Sequence, residues 1–377
     1  MKTACSKSWT DVNVDFANRL IRNCCMSQHY LMPDKLTTDF FDNSPQIQNR
    51  RKDSLSGVEH SDCEHCWSDE REGRDSYRSR MNQYRSFNNL TPGNSDVRYI
   101  DVTLDTICDQ SCLYCAADAS SQIAQEEGVP IRDDGTEDDF EVFKTWLATL
   151  SGEVVFNFLG GEPTASKRFA PMVEYLSTLK NLTIRLELCT NCNTTPALMD
   201  RLFDIIDNSN IQWAVAISNE TIGRDAELTR YGLNWERFCH NFERYATSPK
   251  IDHITLAATV NSFSIRGLSY YMEWVHSTMI RVAPNKEFSW VGAYVKHPAP
   301  MDIKYLHVDN RKYVTAAQKV IDKYKKFQKT FLNQASCDSF LSSMNDRIGS
   351  AKAVDNIRED FLKEKQAVKK KDLSSLL

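Results

Sequence analysis

Three thiols on one short stretch constrain this chain more than any other feature. The stretch reads Cys108-Asp109-Gln110-Ser111-Cys112-Leu113-Tyr114-Cys115, a C-x3-C-x2-C spacing with an aromatic residue before the last thiol. Iron–sulfur clusters are held by cysteine thiolates, so a loop of this kind can hold three irons of a cubane. The fourth iron is then open to a small ligand. A structural zinc usually takes four protein ligands, often from two C-x2-C pairs. Here one compact triplet follows an expected strand and the loop contains no histidine, so the cluster is the stronger reading.

The remaining composition fits a reducing compartment. The chain has 377 residues and twelve cysteines. The opening Met1-Lys2-Thr3-Ala4-Cys5-Ser6 has no apolar signal core. The thiols therefore point to metal or redox chemistry, not to a disulfide framework, and the expected location is cytoplasmic. With 41% hydrophobic and 26% charged residues, the chain can bury a sizeable core in two or three domains. The formal net charge of −5 argues against non-specific nucleic-acid binding, and no apolar run is long enough to span a bilayer.

Residues 1–95 read as polar and loop-rich, yet they hold Cys5, Cys24, Cys25, Cys63 and Cys66. Such a segment is poorly supplied with apolar surface, and a metal site would supply the missing stability. Pro92, Gly93, Asn94 and Ser95 are turn formers and mark a boundary. From Val97 onward strands and helices alternate. Strands are expected at Val97 to Asp105, Glu153 to Leu159, Leu182 to Cys189, Ile211 to Ile217, His253 to Val260 and Phe288 to Val295. Helices are expected at Phe169 to Leu179, Thr195 to Ile206, Trp235 to Tyr245 and Ile265 to Ile280. Six strands separated by helices imply a parallel sheet with right-handed crossovers, and periodicity alone leaves a barrel and a doubly wound sheet both open. After residue 305 the strand pattern ends. Arg311 to Phe331 and Asp355 to Lys371 read as charged surface helices, the last closing on Lys369-Lys370-Lys371 as a solvated face.

The motifs follow the strands in order. Gly160-Gly161-Glu162-Pro163 comes after the second, Thr190-Asn191 ends the third, Ser218 ends the fourth, Arg230 stands in Thr229-Arg230-Tyr231-Gly232, and Asn261 follows the fifth. Glycines let a backbone approach a ligand, a carboxylate accepts from an ammonium, and an Arg fork matches a carboxylate. Together with the triplet, this order resembles the radical S-adenosylmethionine (SAM) enzymes. The resemblance implies an α/β fold with a partial (β/α)6 barrel over 96–305, preceded by a small loop-rich module and followed by a helical extension, 306–377. It implies that Cys108, Cys112 and Cys115 hold a 4Fe-4S cluster whose open iron binds SAM. Gly160, Gly161, Glu162 and Pro163 would bind the SAM amino group and Ser218 its ribose. Arg230 would pair with the SAM carboxylate, Asn191 and Asn261 would make further contacts, and Tyr114 would pack near the adenine.

Residues 1–95 resemble the auxiliary-cluster module called twitch, a shortened SPASM module. Carried over, Cys5, one of Cys24 and Cys25, Cys63 and Cys66 would hold a second 4Fe-4S cluster, with a zinc on the same thiols as the alternative. The glycine usual before the second ligand is replaced by Asn18-Arg19-Leu20, and Cys192 stands where a glycine usually follows Thr-Asn. Cys189, Cys192, Cys239 and Cys337 carry no motif and read as small buried hydrophobes, with Cys192 in the cavity as the alternative.

The activity implied is reductive cleavage of SAM to a 5′-deoxyadenosyl radical that abstracts a hydrogen atom from a substrate C–H bond. The substrate expected is a peptide or amino-acid side chain, and an external flavodoxin- or ferredoxin-type protein would donate the electron. Dehydrogenation of a small alcohol of the aminocyclitol type is the alternative enzyme reading. A cluster-dependent binding protein without turnover is the non-enzyme alternative.

Overall fold

The computed structural model describes residues 3–71, 76–84, 91–93, 95–326, 328–352, 355–369 and 371–376; Asn94 and Lys370, singled out above, lie outside the described residues. Eleven strands occur among these residues: β1 Asp11–Asp15, β2 Leu20–Arg22, β3 Tyr30–Leu31, β4 Tyr99–Thr103, β5 Ser111–Cys112, β6 Gly152–Leu159, β7 Leu182–Thr190, β8 Gln212–Ser218, β9 Arg230–Tyr231, β10 Ile251–Val260 and β11 Glu287–Tyr294. All six expected strands are present, as β4, β6, β7, β8, β10 and β11. The molecule is a mixed α/β protein built on parallel pairing.

The chain divides into two compact units. One comprises 1–105, 132–160 and 170–186; the other comprises 106–131, 161–169 and 187–377. In the first unit the strand order runs from the start of β7 through β6, β4, β1 and β2 to β3. β1 lies parallel to β4, pairing Asp11 with Tyr99 and Asp15 with Thr103. β4 lies parallel to β6, and the β1–β2 and β2–β3 pairs are antiparallel. Residues 1–95 are thus more regular than their composition suggests. They carry three strands and the helices Thr38–Asn43, Pro45–Ser56, Glu64–Arg71 and Tyr77–Tyr84. The Asp-Val-Asn-Val-Asp alternation of β1 is a strand signal, but five residues is too short a run to stand out in a polar segment.

In the second unit the end of β7, then β8, β10 and β11 follow one another, with β8, β10 and β11 joined by parallel pairing. In β10, buried Ile254, Leu256, Ala258 and Val260 alternate with less buried His253, Thr255, Ala257 and Thr259. Strands of parallel sheets covered on both faces read as near-continuous apolar runs. The alternation seen here gives one apolar face and one half-buried, more polar face. Helices Trp235–Thr247 and Leu268–Val282 bury an aromatic group in which Trp274 meets Trp235, Phe238, Phe242 and Tyr271 at centroid distances of 4.9 to 6.1 Å.

Two expectations change. The helix read from Arg311 to Phe331 ends at Tyr324. Phe331 instead bridges Phe288 of β11, stacks on it at 5.5 Å and is buried, because the strand edge offers its ring more apolar surface than a solvated helix does. The C-terminal helix Asp355–Lys369 forms, but Lys369 is not on a solvated face: its side chain is 2% exposed and ion-paired.

Candidate functional site

The thiol loop is shaped by the helix after it. Ser121–Glu127 has its N-cap at Ser120, whose hydroxyl accepts from Ile123 N and also donates to Gln110 O at 2.7 Å. The Cys108 N–H donates to Ser121 Oγ at 3.1 Å, and Ser121 N donates to Thr106 O at 2.8 Å. The Ser-Ser pair therefore ties the helix start to the first thiol of the loop. β5, which contains Cys112, pairs antiparallel with β9, aligning Cys112 with Arg230. Gly232 makes this approach possible: its φ is +102°, and a β-carbon there would lie 2.6 Å from Asp109 O. Cys108, Cys112 and Cys115 are free and half-buried. Burial raises all three thiols above their ordinary 9.0, Cys112 to about 12, with Arg230 pulling Cys112 the other way. Without a cation the loop holds neutral thiols; a thiolate set needs a metal to offset the desolvation.

The Gly-Gly-Glu-Pro stretch locks onto that loop. Glu162 N donates to Ile107 O at 2.7 Å. A β-carbon on Gly161 would lie 2.7 Å from the Ile107 carbonyl carbon, so only glycine permits the approach. Gly160 has φ +114°, with Asp105 O 2.8 Å from where its β-carbon would stand. Pro163 opens a single helical turn. The buried Glu162 carboxylate accepts from Thr164 Oγ1 at 2.7 Å, Thr190 Oγ1 at 2.9 Å and Asn191 N at 2.6 Å. Burial nevertheless raises its pKa from 4.5 to about 7.

Asn191 and Asn193 both donate side-chain amides to Asp109, at 2.7 Å each, so a residue between two thiols of the loop is gripped from the end of β7. Arg230 is buried and grips Glu220 Oε2 through Nε at 2.9 Å and Nη2 at 2.7 Å, leaving Nη1 outside the pair. Burial opposes its charge, but the Glu220 carboxylate outweighs burial and keeps the guanidinium charged. Tyr114 donates to the same carboxylate at 3.2 Å and lies under the Arg230 guanidinium. Ser218 is half-buried at the end of β8. Asn261 Oδ1 caps the turn after β10 by accepting from Phe263 N and Ser264 N, whereas its buried Nδ2 has no partner. Gln110 Nε2, inside the thiol loop, is likewise buried without one. Orphaned buried donors are costly unless a ligand uses them.

Sequence reasoning missed Asp109, Asn193, Glu220 and Gly232. Position held a signal for three of them: Asp109 lies between two cysteines of the loop, and Asn193 and Glu220 each stand two residues past a motif residue. Cys192 takes the packing role. It has φ +61°, is fully buried and donates through Sγ to Phe238 O at 3.7 Å.

The N-terminal thiols meet in the first unit. Cys5, Cys24, Cys63 and Cys66 line one recess, together with Lys7, Arg50, Arg78 and Tyr77. Cys25 is outside this lining. Interaction with this adjacent thiol lowers the Cys24 thiol against the effect of burial, while that of Cys25 rises; the Met26 N–H, Lys7 and Arg50 also favour the Cys24 thiolate. Burial pushes Cys5 and Cys63 up to about 12. Lys7 pairs with Asp11 and Arg50 with Asp62, so buried cations face the thiols. Among the described residues, no three His, Cys, Asp or Glu side chains close around a single ion. Four thiols on one recess can supply the all-cysteine ligand set that an iron–sulfur cluster or a zinc takes.

No protein-family model and no curated protein matches this sequence. Among solved structures it is similar to native anSMEcpe with bound AdoMet, with 17% identity and a TM-score of 0.42 over 61% of this chain and 62% of that one. This chain thus covers less than two thirds of anSMEcpe. It is also similar to Streptococcus suis SuiB bound to S-adenosylmethionine, with 12% identity and a TM-score of 0.36 over 86% of this chain and 69% of that one. For SuiB bound to precursor peptide SuiA the values are 13%, 0.35, 85% and 70%. Scores this low carry no argument about function, and the reading of the site rests on its own residues.

Proposed function

We propose that this protein is a radical SAM enzyme. Cys108, Cys112 and Cys115 would hold the 4Fe-4S cluster, and Cys5, Cys24, Cys63 and Cys66 an auxiliary one. The observation that carries the reading is convergence on a single loop. Glu162 is bonded to the loop backbone at Ile107, Asn191 to the loop side chain Asp109, and Arg230 is registered against Cys112. Three motifs that are weak apart thus meet on the loop that carries the thiols.

When bound, the cluster and SAM would supply one-electron cleavage of SAM and hydrogen-atom abstraction from a substrate C–H bond. The chain's own residues bind and orient. Glu162, ionised, would accept from the SAM ammonium. Arg230 would offer Nη1 to the SAM carboxylate while Glu220 and Tyr114 fix its plane. Asn261 Nδ2 is a ready donor, Ser218 stands where the ribose is expected, and Tyr114 would pack near the adenine. Gly160, Gly161 and Pro163 shape the loop that presents Glu162. The substrate class we propose, a peptide or amino-acid side chain, and the flavodoxin- or ferredoxin-type electron donor rest on the sequence resemblance.

The test is anaerobic reconstitution, followed by iron and sulfide counts and by 5′-deoxyadenosine release from SAM under dithionite. About eight irons per chain, as two 4Fe-4S clusters require, with release abolished by Cys112→Ala, is the expected result. About four irons, as one such cluster holds, with release intact would remove the auxiliary cluster only. Bound zinc and no nucleoside would overturn the function.

A further inference from the structure

The thiol loop is held from behind by the end of the chain. Lys369 closes the C-terminal helix, more than two hundred residues after the loop in sequence. Its Nζ donates to Ser111 Oγ at 2.7 Å and to Glu126 Oε2 at 2.9 Å, and Ser111 Oγ donates to Glu126 Oε1 at 2.8 Å. These three groups form a closed ring. Ser111 is the residue before Cys112 and lies in β5 with it. Glu126 is on the helix whose N-terminus holds Cys108. Tyr231, the neighbour of Arg230, has its ring 5.0 Å from the Lys369 ammonium and its hydroxyl 3.2 Å from Lys369 O. The helix is seated by apolar contact as well: Leu113, between two ligand positions, shares a buried cluster with Phe361, Leu362, Leu373 and Leu376. A long, flexible lysine on a helix of mean exposed character is rarely buried without a task.

We propose that Lys369 is a positioning residue for the three-thiol loop: it fixes Ser111 against Glu126 and places one buried positive charge behind the Cys112 ligand. The proposal rests on the reading that Cys108, Cys112 and Cys115 hold a cluster. Cluster potentials respond to nearby charge and burial, because reduction adds a negative charge to the group. The ammonium therefore favours the reduced state, and the Glu126 carboxylate works against it.

The test is an EPR-monitored redox titration of the reconstituted full-length protein, read at the signal that changes when SAM is added. Lys369→Met keeps the apolar stem and removes the charge; its midpoint shifts to lower potential. Glu126→Gln leaves the ammonium uncompensated; its midpoint shifts to higher potential. Opposite signs for the two variants are the signature of charge, since a merely structural loss would not reverse direction. If Lys369→Met fails to load iron, Glu126→Gln decides alone, and a midpoint unchanged or lowered overturns the proposal. Wild-type protein with no SAM-responsive cluster signal overturns the function itself. Wild-type protein with the signal and a Lys369→Met midpoint equal to it overturns only the role of Lys369.

Discussion

Single atoms decide whether the loop can be built. Gly161 tolerates no side chain, because the Ile107 carbonyl occupies the β-carbon position. Gly161→Ala is therefore expected to push the thiol loop away from Glu162. Overpacking of this kind costs about 1–3 kcal/mol, and iron retained on the Cys108 loop should fall with the melting temperature. Full iron content at an unchanged melting temperature would contradict it. Glu162 makes a second, pH-dependent prediction. Burial raises its pKa from 4.5 to about 7, so the folded protein prefers the neutral acid. Its contribution to stability is complete below the unfolded value and is lost as pH rises through the folded one. Metal-free protein should thus lose up to about 3 kcal/mol between pH 5 and 8 from this group. Glu162→Gln should flatten that slope in urea titrations, and equal slopes would remove the assignment. The SAM ammonium requires the ionised form, so SAM affinity should rise over the same interval. At this scale the sequence displayed Glu162, Arg230 and the cysteines, because their types and spacing are distinctive. For Glu220, Asp109 and Asn193 position beside a motif was the one signal; which group each one grips is set by a contact that the fold creates.

Regular elements were legible where their periodicity was long. β10 alternates buried and less buried residues along most of its length, and its sequence says so. β1 alternates polar and apolar residues over only five positions, with its polar Asp11 and Asn13 buried as well, and was hidden by its polar surroundings. Phe331 reads as the last turn of a helix until the edge of β11 is there to receive it. The C-terminal helix shows the gap most clearly, since its charged pattern predicts a solvated element while Leu362 and Lys369 are buried. A pattern of charge states which faces can be wet, but not which lysine the fold will cover. Leu362 is 1% exposed in the cluster that contains Leu113. Leu362→Ala should cost about 2–5 kcal/mol, and the damage should appear as faster iron loss to a chelator from the Cys108 loop. Retention equal to wild type would mean that the helix does not support the loop.

The molecule as a whole separates its thiols. Cys5, Cys24, Cys63 and Cys66 belong to one compact unit, and Cys108, Cys112 and Cys115 to the other. Ligands in different units with no shared partner should lose their metal independently, as distant sites usually act additively. The adjacent pair Cys24 and Cys25 gives the sharpest form of this test. Composition cannot choose between neighbouring thiols, but the recess can: Cys24 lines it and Cys25 does not. Interaction with the adjacent Cys25 thiol also favours the Cys24 thiolate, the form that binds metal. Cys24→Ala should remove about four irons per chain, the content of one 4Fe-4S cluster, and leave the SAM-responsive cluster signal in place. Cys25→Ala should keep the full iron content, with Cys24 now a more reluctant thiolate and the auxiliary site slower to reconstitute. Cys112→Ala should show the reverse loss, abolishing the SAM response while the auxiliary irons stay. Iron analysis and EPR on the three variants read all of this directly. If Cys25→Ala rather than Cys24→Ala empties the auxiliary site, the ligand choice drawn from the recess is wrong; if either one also removes the SAM response, the two sites are not independent.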